Sequence, residues 1–191
     1  MVRWSLVRSL TSKSFLGTLY KNQERNYSMK NSKNIARIGL VAALYIVLTL
    51  LVPAFAYGPV QFRISEVLTL LCFYNPFYIL PITLGVFISN LFSSLGPIDL
   101  VFGTLHTLIS VYLMSKTKNI WLASLMPALF SFIIGAQIVM VSSEALSFFT
   151  ITGSIMLSEF IIVTIIGVPV FKLLEKNKDF KNKVLDYNLD I

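Results

Sequence analysis

Charge is scarce in this 191-residue chain. Its 16 Lys+Arg and 9 Asp+Glu come to 13% of residues, about half of the ~25% usual in a soluble domain. The scarcity is regional. Residues 1–37 carry eight basic side chains and one acid, Glu24, and residues 172–191 carry five Lys and four acids. From 38 to 171 the charged residues are Arg63, Glu66, Asp99, Lys116, Lys118, Glu144 and Glu159. That stretch excludes a large extramembrane catalytic domain and reads as a membrane domain, with room for five or six spans at ~20 residues each. Other absences narrow the chemistry. Cys72 is the one cysteine and lies in an apolar run, so it can close no internal disulfide and reads as a packing residue. There is no G-x-x-x-x-G-K-[ST] phosphate loop and no His/Cys cluster for a metal. His106 is the one histidine, and nothing pairs it with Ser154 as base and nucleophile. No enzyme activity and no cofactor is expected. The formal net charge of +7 comes from basic residues that flank apolar spans, where they set orientation and meet anionic lipid, so nucleic acid is not an expected partner.

Interruptions lay out the spans. The first runs from about Ile35 to Phe55 and leaves through Pro53 and Tyr57-Gly58-Pro59. The second, Ile64 to Tyr74, is broken by Asn75-Pro76, and the third, Phe77 to Leu91, ends in Phe92-Ser93-Ser94-Leu95-Gly96-Pro97. The fourth is Leu100 to Met114, closed by Ser115-Lys116-Thr117-Lys118-Asn119; the fifth is Trp121 to Val141; the sixth is Phe149 to Leu173. The second and third are short, so a single kinked element from Ile64 to Leu91 is the alternative. Charge decides between them. With six spans, fifteen of the sixteen basic residues fall on one side and Arg63 alone on the other, and Lys/Arg-rich termini and loops stay in the cytoplasm. The expectation is an all-α integral membrane protein with six transmembrane helices, N-in and C-in. Its parts are a basic N-terminal extension (1–33), a six-helix transmembrane domain (34–173) and a cytoplasmic tail (174–191) read as a solvated helical extension or a disordered end. Residues 1–30 superficially match a transit peptide, and a start at Met29 explains them more simply.

Depth is the informative coordinate for the polar residues. With 1.5 Å of rise per residue, Asn90 and Asp99 fall at the outer ends of the third and fourth spans, and His106 falls about 10 Å below. Gln137 is in the outer third of the fifth span, Arg63 and Glu66 open the second, and Glu159 lies roughly 15 Å down the sixth, near the midplane. The inner half offers little beyond hydroxyls. Ionisable groups in hydrocarbon cost at least ~2.5–3.5 kcal/mol each at the centre, so they are kept where they pair or bind. A structural account is available for some of them. Arg63 and Glu66, three apart on a helix, can neutralise each other, Asp99 can cap the fourth helix, and a lone histidine usually packs. Glu159 has no basic residue in its own span. The pattern suggests a polar pocket open to the outside and closed by an apolar inner half.

Such a pocket can bind but not pump, because the chain has no ATP site and no charged relay through the inner half. Gly39 and Ala43 on the first helix form a small-x-x-x-small face through which another helix could approach, either a partner's or a neighbour in the same chain.

The first helix, Ala36-Arg37-Ile38-Gly39-Leu40-Val41-Ala42-Ala43-Leu44-Tyr45-Ile46-Val47-Leu48-Thr49, followed by Tyr57-Gly58-Pro59-Val60-Gln61-Phe62-Arg63-Ile64-Ser65-Glu66, resembles the QueT-type queuosine-precursor substrate-binding (S) subunits of energy-coupling-factor (ECF) transporters. The likeness extends over roughly 34–175, through Asn90, Asp99-Leu100-Val101-Phe102-Gly103 and Ser158-Glu159-Phe160, with Ser158 where the family usually has Gly. It implies a multi-pass bacterial plasma-membrane protein that captures a 7-deazaguanine and docks on a transmembrane coupling subunit and two ATPases. A substrate-binding subunit for another vitamin, or a small self-sufficient channel or carrier, is the alternative. A channel should line both membrane halves with polar residues, and this chain does not.

A guanine-like ring offers N1-H and its exocyclic amine as adjacent donors to a carboxylate, while its O6 seeks a donor, and an aminomethyl substituent adds a cation. For such a ligand Glu159 and Glu66 are the candidate carboxylates, Arg63, Asn90, Gln137, His106 and Gln61 the further polar contacts, and Tyr57, Phe62 or Phe87 the stacking partners. Gly39 and Ala43 are the candidate subunit-docking residues.

Overall fold

The computed structural model describes residues 13–57, 61–141 and 147–185, with side chains from residue 32 onward except at 54 and 55. Every regular element among them is helical. Residues Met1–Gly39 and Leu40–Ile191 form two units. The packed helices and the polar side chains between them belong to the second.

Helix α1 is Lys13–Leu50, followed by a single turn at Pro53–Ala56. Helices α2 (Ile64–Tyr74) and α3 (Pro76–Asn90) are short and apolar. They are separate because Asn75, preceding a proline, is extended (φ −148°, ψ 117°) and its side chain accepts from Phe77 N at 3.0 Å, capping the new helix. The kinked single element is therefore not what forms. In α2 the first seven residues, Ile64–Leu70, are 3₁₀-wound and the last four, Leu71–Tyr74, are α-helical. At about 2.0 Å per 3₁₀ residue and 1.5 Å per α residue, that winding stretches α2 to roughly 20 Å.

Helix α4 (Pro97–Met114) starts after Gly96, whose φ of 71° is a left-handed conformation suited to glycine, with proline in its first turn. Helix α5 spans Ile120–Val141, with Asn119 capping it through Trp121 N. It runs in three pieces, Ile120–Ser124, Met126–Phe130 and Phe132–Val141: Pro127 removes a donor at the first break, and at the second the Ser131 N–H bonds the Ala128 carbonyl in a tightened turn. Helix α6 (Phe148–Leu174) is α-wound to Glu159 and then widens into a π-helical stretch, Phe160–Gly167. Among the described residues, four segments are long and apolar enough to cross a membrane: Ser32–Leu50, Pro97–Met114, Ile120–Val141 and Phe148–Leu174.

Side-chain contacts sort the helix ends into two groups. Arg63, Asn90, Asp99 and Gln137 meet at one end. At the other, Tyr74 donates to Glu175 (3.4 Å), Lys172 lies over the Trp121 ring (4.9 Å) and Tyr78 donates to the Val184 carbonyl (2.8 Å). Helices α2 to α6 thus alternate in direction. The apolar end holds the larger core, around Leu70, Tyr78, Ile82, Met114, Val168 and Phe171, with a second cluster of Ile134, Ile138, Ile151 and Ile155 between α5 and α6. Cys72 is free and buried in the larger core, as its apolar surroundings suggest. The tail departs from the solvated or disordered expectation as far as Leu185: turns at Lys178–Phe180 and Lys181–Leu185 fold back, Phe180 meets Phe171 edge-on at 6.5 Å, and Leu185 joins the core.

Candidate functional site

Arg63 organises the polar end. It caps α2 in an extended conformation (φ −103°, ψ 105°), its carbonyl accepting from Glu66 N at 3.1 Å, and its side-chain ion pair is with Asp99, not with Glu66. Its Nε donates to the Ala56 carbonyl (2.8 Å), Nη1 to Asn90 Oδ1 (3.1 Å) and Nη2 to Asp99 Oδ2 (3.3 Å), and its guanidinium lies 5.1 Å from the Tyr57 ring centre. Asp99 is fully buried, and its other oxygen accepts from Gln137 Nε2 (2.9 Å), while Asn90 Nδ2 donates to the Asp99 carbonyl (3.1 Å). Asp99 is therefore the counter-ion of Arg63, a larger role than helix capping. Gly103, one turn along α4, leaves this network its space: a Cβ there would lie 2.6 Å from Asn90 Nδ2 and 2.9 Å from Asp99 Oδ1. Tyr57 is committed as well, donating to the Ser89 carbonyl at 2.5 Å.

The two glutamates stand apart from this closed set. Glu66 is 2% exposed, and one of its oxygens, Oε1, accepts from the Tyr45 hydroxyl. Its Oε2 is buried with no hydrogen-bond partner among the described residues. Glu159, 4% exposed, is likewise unpartnered at Oε2. It is the last α-helical residue before the π-helical stretch of α6, the kind of irregularity that recurs at functional sites. Gln61 Nε2, Gln137 Oε1 and Ser89 Oγ are also buried and unpartnered. Gln61 is the one non-glycine residue with positive φ (45°) among those described, a strained conformation of the sort that clusters at ligand sites. Buried polar atoms are ordinarily paired; Thr104 Oγ1 and Thr152 Oγ1 are buried and unpartnered as well.

Other expected residues fall elsewhere. His106 Nε2 is bonded to the Pro127 carbonyl (3.0 Å), the acceptor beside the break in α5, so it ties α4 to α5 as a packing histidine does. Phe87 is 43% exposed, which argues against it as an enclosed stacking partner, and Phe62 packs against the larger core. No atom lies within 4 Å of where a Gly39 Cβ would stand, and Ala43 is exposed.

Sequence reasoning missed Tyr45 and Thr49. Tyr45 is fully buried and holds Glu66, and Thr49 Oγ1 lies 2.7 Å from Ser65 Oγ. The available signal was their spacing: two hydroxyl side chains four apart share one face of an otherwise apolar helix. A groove lined by Leu125, Ala128, Leu129, Gly153, Met156, Leu157 and Phe160 offers no polar side chain to orient a ligand. Among the described residues no group of His, Cys, Asp and Glu could hold a metal.

The family described as QueT transporter matches residues 35–176 of the chain. A protein named queuosine precursor transporter QueT, from Lactococcus lactis subsp. cremoris (strain MG1363), is 41% identical over 116 residues, covering 56% of this chain and 68% of the relative. No solved structure matches the chain significantly.

Proposed function

The chain belongs to the QueT transporter family, and from that premise we propose that it is the substrate-binding subunit of an ATP-driven importer of the ECF type, taking up a 7-deazaguanine precursor of queuosine. It is a multi-pass plasma-membrane protein and not an enzyme. The observation that carries the reading is the pair of buried glutamates with unsatisfied oxygens, Glu66 Oε2 and Glu159 Oε2, alongside a polar network in which Arg63 is bonded to Asn90, Asp99 and the Ala56 carbonyl. A carboxylate facing the N1-H and exocyclic amine of a guanine-like ring accepts both donors. Gln61, with an unpartnered amide nitrogen, supplies a donor for O6. Asn90 and Gln137 frame the site, and Arg63 and Tyr57 support it from behind.

The purified protein is expected to bind a 7-deazaguanine, read by calorimetry or by mass spectrometry of ligand retained through purification. Glu159→Gln should weaken binding by at least about tenfold, because the amide presents donors to ring donors. Unchanged affinity in a folded Glu159→Gln protein would remove Glu159 from the site.

We place the polar end outside and the end bearing Lys116, Lys118 and Lys172 in the cytoplasm, giving six spans over 34–173, with the N-terminus and the 174–191 tail both inside. The alternation of α2 to α6 supports this, as does the segregation of basic residues. With Cys72 replaced by Ala, single cysteines at Ser94 and Lys118 test it in intact cells. An impermeant thiol reagent should label the Ser94→Cys protein and spare the Lys118→Cys protein; the reverse pattern would invert the map.

A further inference from the structure

Helices α5 and α6 are drawn together at two levels and part between them. At one level Thr164 Oγ1 donates to the Ser124 carbonyl at 3.2 Å. At the other, Ile134 and Ile138 pack on Ile151 and Ile155, and Gly135 leaves room for a Thr152 side chain that a Cβ would strike. Between these contacts Leu125, Ala128 and Leu129 of α5 and Met156, Leu157 and Phe160 of α6 line a groove of about 450 Å³, a volume in the range of small-molecule pockets. Gly153, on the same wall, adds to the opening: no atom lies within 4 Å of where its Cβ would stand. Both walls belong to segments apolar enough to cross a membrane.

The groove has no polar group inside it, so the polar end of any occupant must be held at its mouth. Trp121, Leu125 and Leu129 stand four residues apart and share a face of α5, which carries the groove on to Trp121 at the start of the helix. There the Lys172 ammonium of α6 lies 4.9 Å from the centre of the Trp121 ring. Both side chains are exposed, as are Lys116 and Lys118 in the loop before α5. A tryptophan at a membrane boundary meets acyl chains with its rings and head groups with its N–H, and lysines there attract anionic lipid. Charge also argues against a protein occupant. A second copy of this chain, lying parallel in the bilayer, would bring the same lysines against these.

We propose that the groove is a binding site for an anionic glycerophospholipid: one acyl chain lies between α5 and α6 against Ala128 and Gly153, and the phosphate is held by Lys172 and the Trp121 indole N–H. None of these residues belongs to the polar network around Arg63. The site depends on α5 and α6 spanning the membrane, and not on what the transporter carries or which end faces the cytoplasm.

The chain's two tryptophans are Trp4 and Trp121, so in the full-length Trp4→Phe protein the fluorescence reports this mouth alone. Reconstituted in phosphatidylcholine bilayers, that protein should be quenched by phosphatidylglycerol with one brominated chain at about fivefold lower mole fraction than by equally brominated phosphatidylcholine, the worth of one lysine at a membrane surface. Lys172→Gln should bring the two lipids to within about twofold of each other, and Lys172→Arg should restore the preference. Gly153→Leu fills the groove with a side chain its open surroundings accept, and should weaken quenching by both lipids. Equal quenching by both lipids in the parent protein would mean contact with bulk bilayer lipid and overturn the proposal. A preference that survives Lys172→Gln, or quenching unchanged by Gly153→Leu, would overturn it too, and so would quenching by neither lipid, the result expected if a second copy or a partner's helix fills the groove. The Lys172 variants alter an exposed side chain and decide the matter should Gly153→Leu not fold. No arm uses the transported ligand, so the proposed function stands or falls separately.

Discussion

Asp99→Ala is expected to destabilise the folded protein by about 3–5 kcal/mol, the usual cost of leaving one member of a buried ion pair without its partner. Arg63 is 4% exposed and cannot turn to solvent, and the same substitution strips Gln137 Nε2 of its acceptor. The loss should appear as a lower melting temperature and a broadened size-exclusion profile in detergent. Arg63→Met combined with Asp99→Leu removes both charges, and buried pairs replaced by apolar side chains of similar volume often keep their stability. The double variant should therefore be more stable than Asp99→Ala alone and fall short of wild type only by the hydrogen bonds lost at Asn90 and Gln137. A melting temperature for Asp99→Ala equal to wild type would mean that the pair contributes nothing to the fold.

That expectation depends on a pairing the sequence did not reveal. Arg63 and Glu66 are three residues apart, and on a helix such residues meet. But Arg63 is the extended cap of that helix, and its side chain turns instead to a carboxylate 36 positions away. Pairing over that distance depends on how α2 and α4 pack, which no local pattern carries. What was legible was depth. The placing of Arg63, Glu66, Asn90, Asp99 and Gln137 toward one end follows from hydropathy and span counting, and Arg63, Asn90, Asp99 and Gln137 do meet there.

Residues that combine an apolar body with a polar tip were the hardest to read. Tyr45 sits in an apolar run and counts as core, yet its hydroxyl decides which oxygen of Glu66 stays open. Phe87 has the right type at the right depth but is exposed, while Ser89 and Asn90 on the same helix are buried. In the tail, Val184 and Leu185 are outnumbered by lysines, and a charge count alone hides the fact that Leu185 is buried.

Bulky side chains at both small positions of α1, Gly39→Leu with Ala43→Phe, are expected to abolish uptake while leaving ligand affinity within about twofold of wild type. The physical basis is exposure. The Ser32–Leu50 stretch is 17% buried against 50% for Phe148–Leu174, and Leu40, Leu44 and Val47 beside the small positions are exposed. In a bilayer, exposed leucines need no partner, because lipid tails are as apolar as they are. Small residues four apart are a different matter: they offer lipid little surface and let a second helix approach closely. Ala43 is exposed and makes no hydrogen bond to the polar network, so added bulk there has no direct route to the ligand. The chain also has no phosphate-binding loop, so on the proposed reading the energy for accumulation comes from ATPases reached through a coupling subunit. In liposomes, the wild-type protein should accumulate 7-deazaguanine only when coupling subunit, ATPases and ATP are all present, and the double variant should bind ligand yet fail to co-purify with the coupling subunit. Accumulation by the lone wild-type protein would remove the need for any partner, and normal uptake by the double variant would assign this face to lipid.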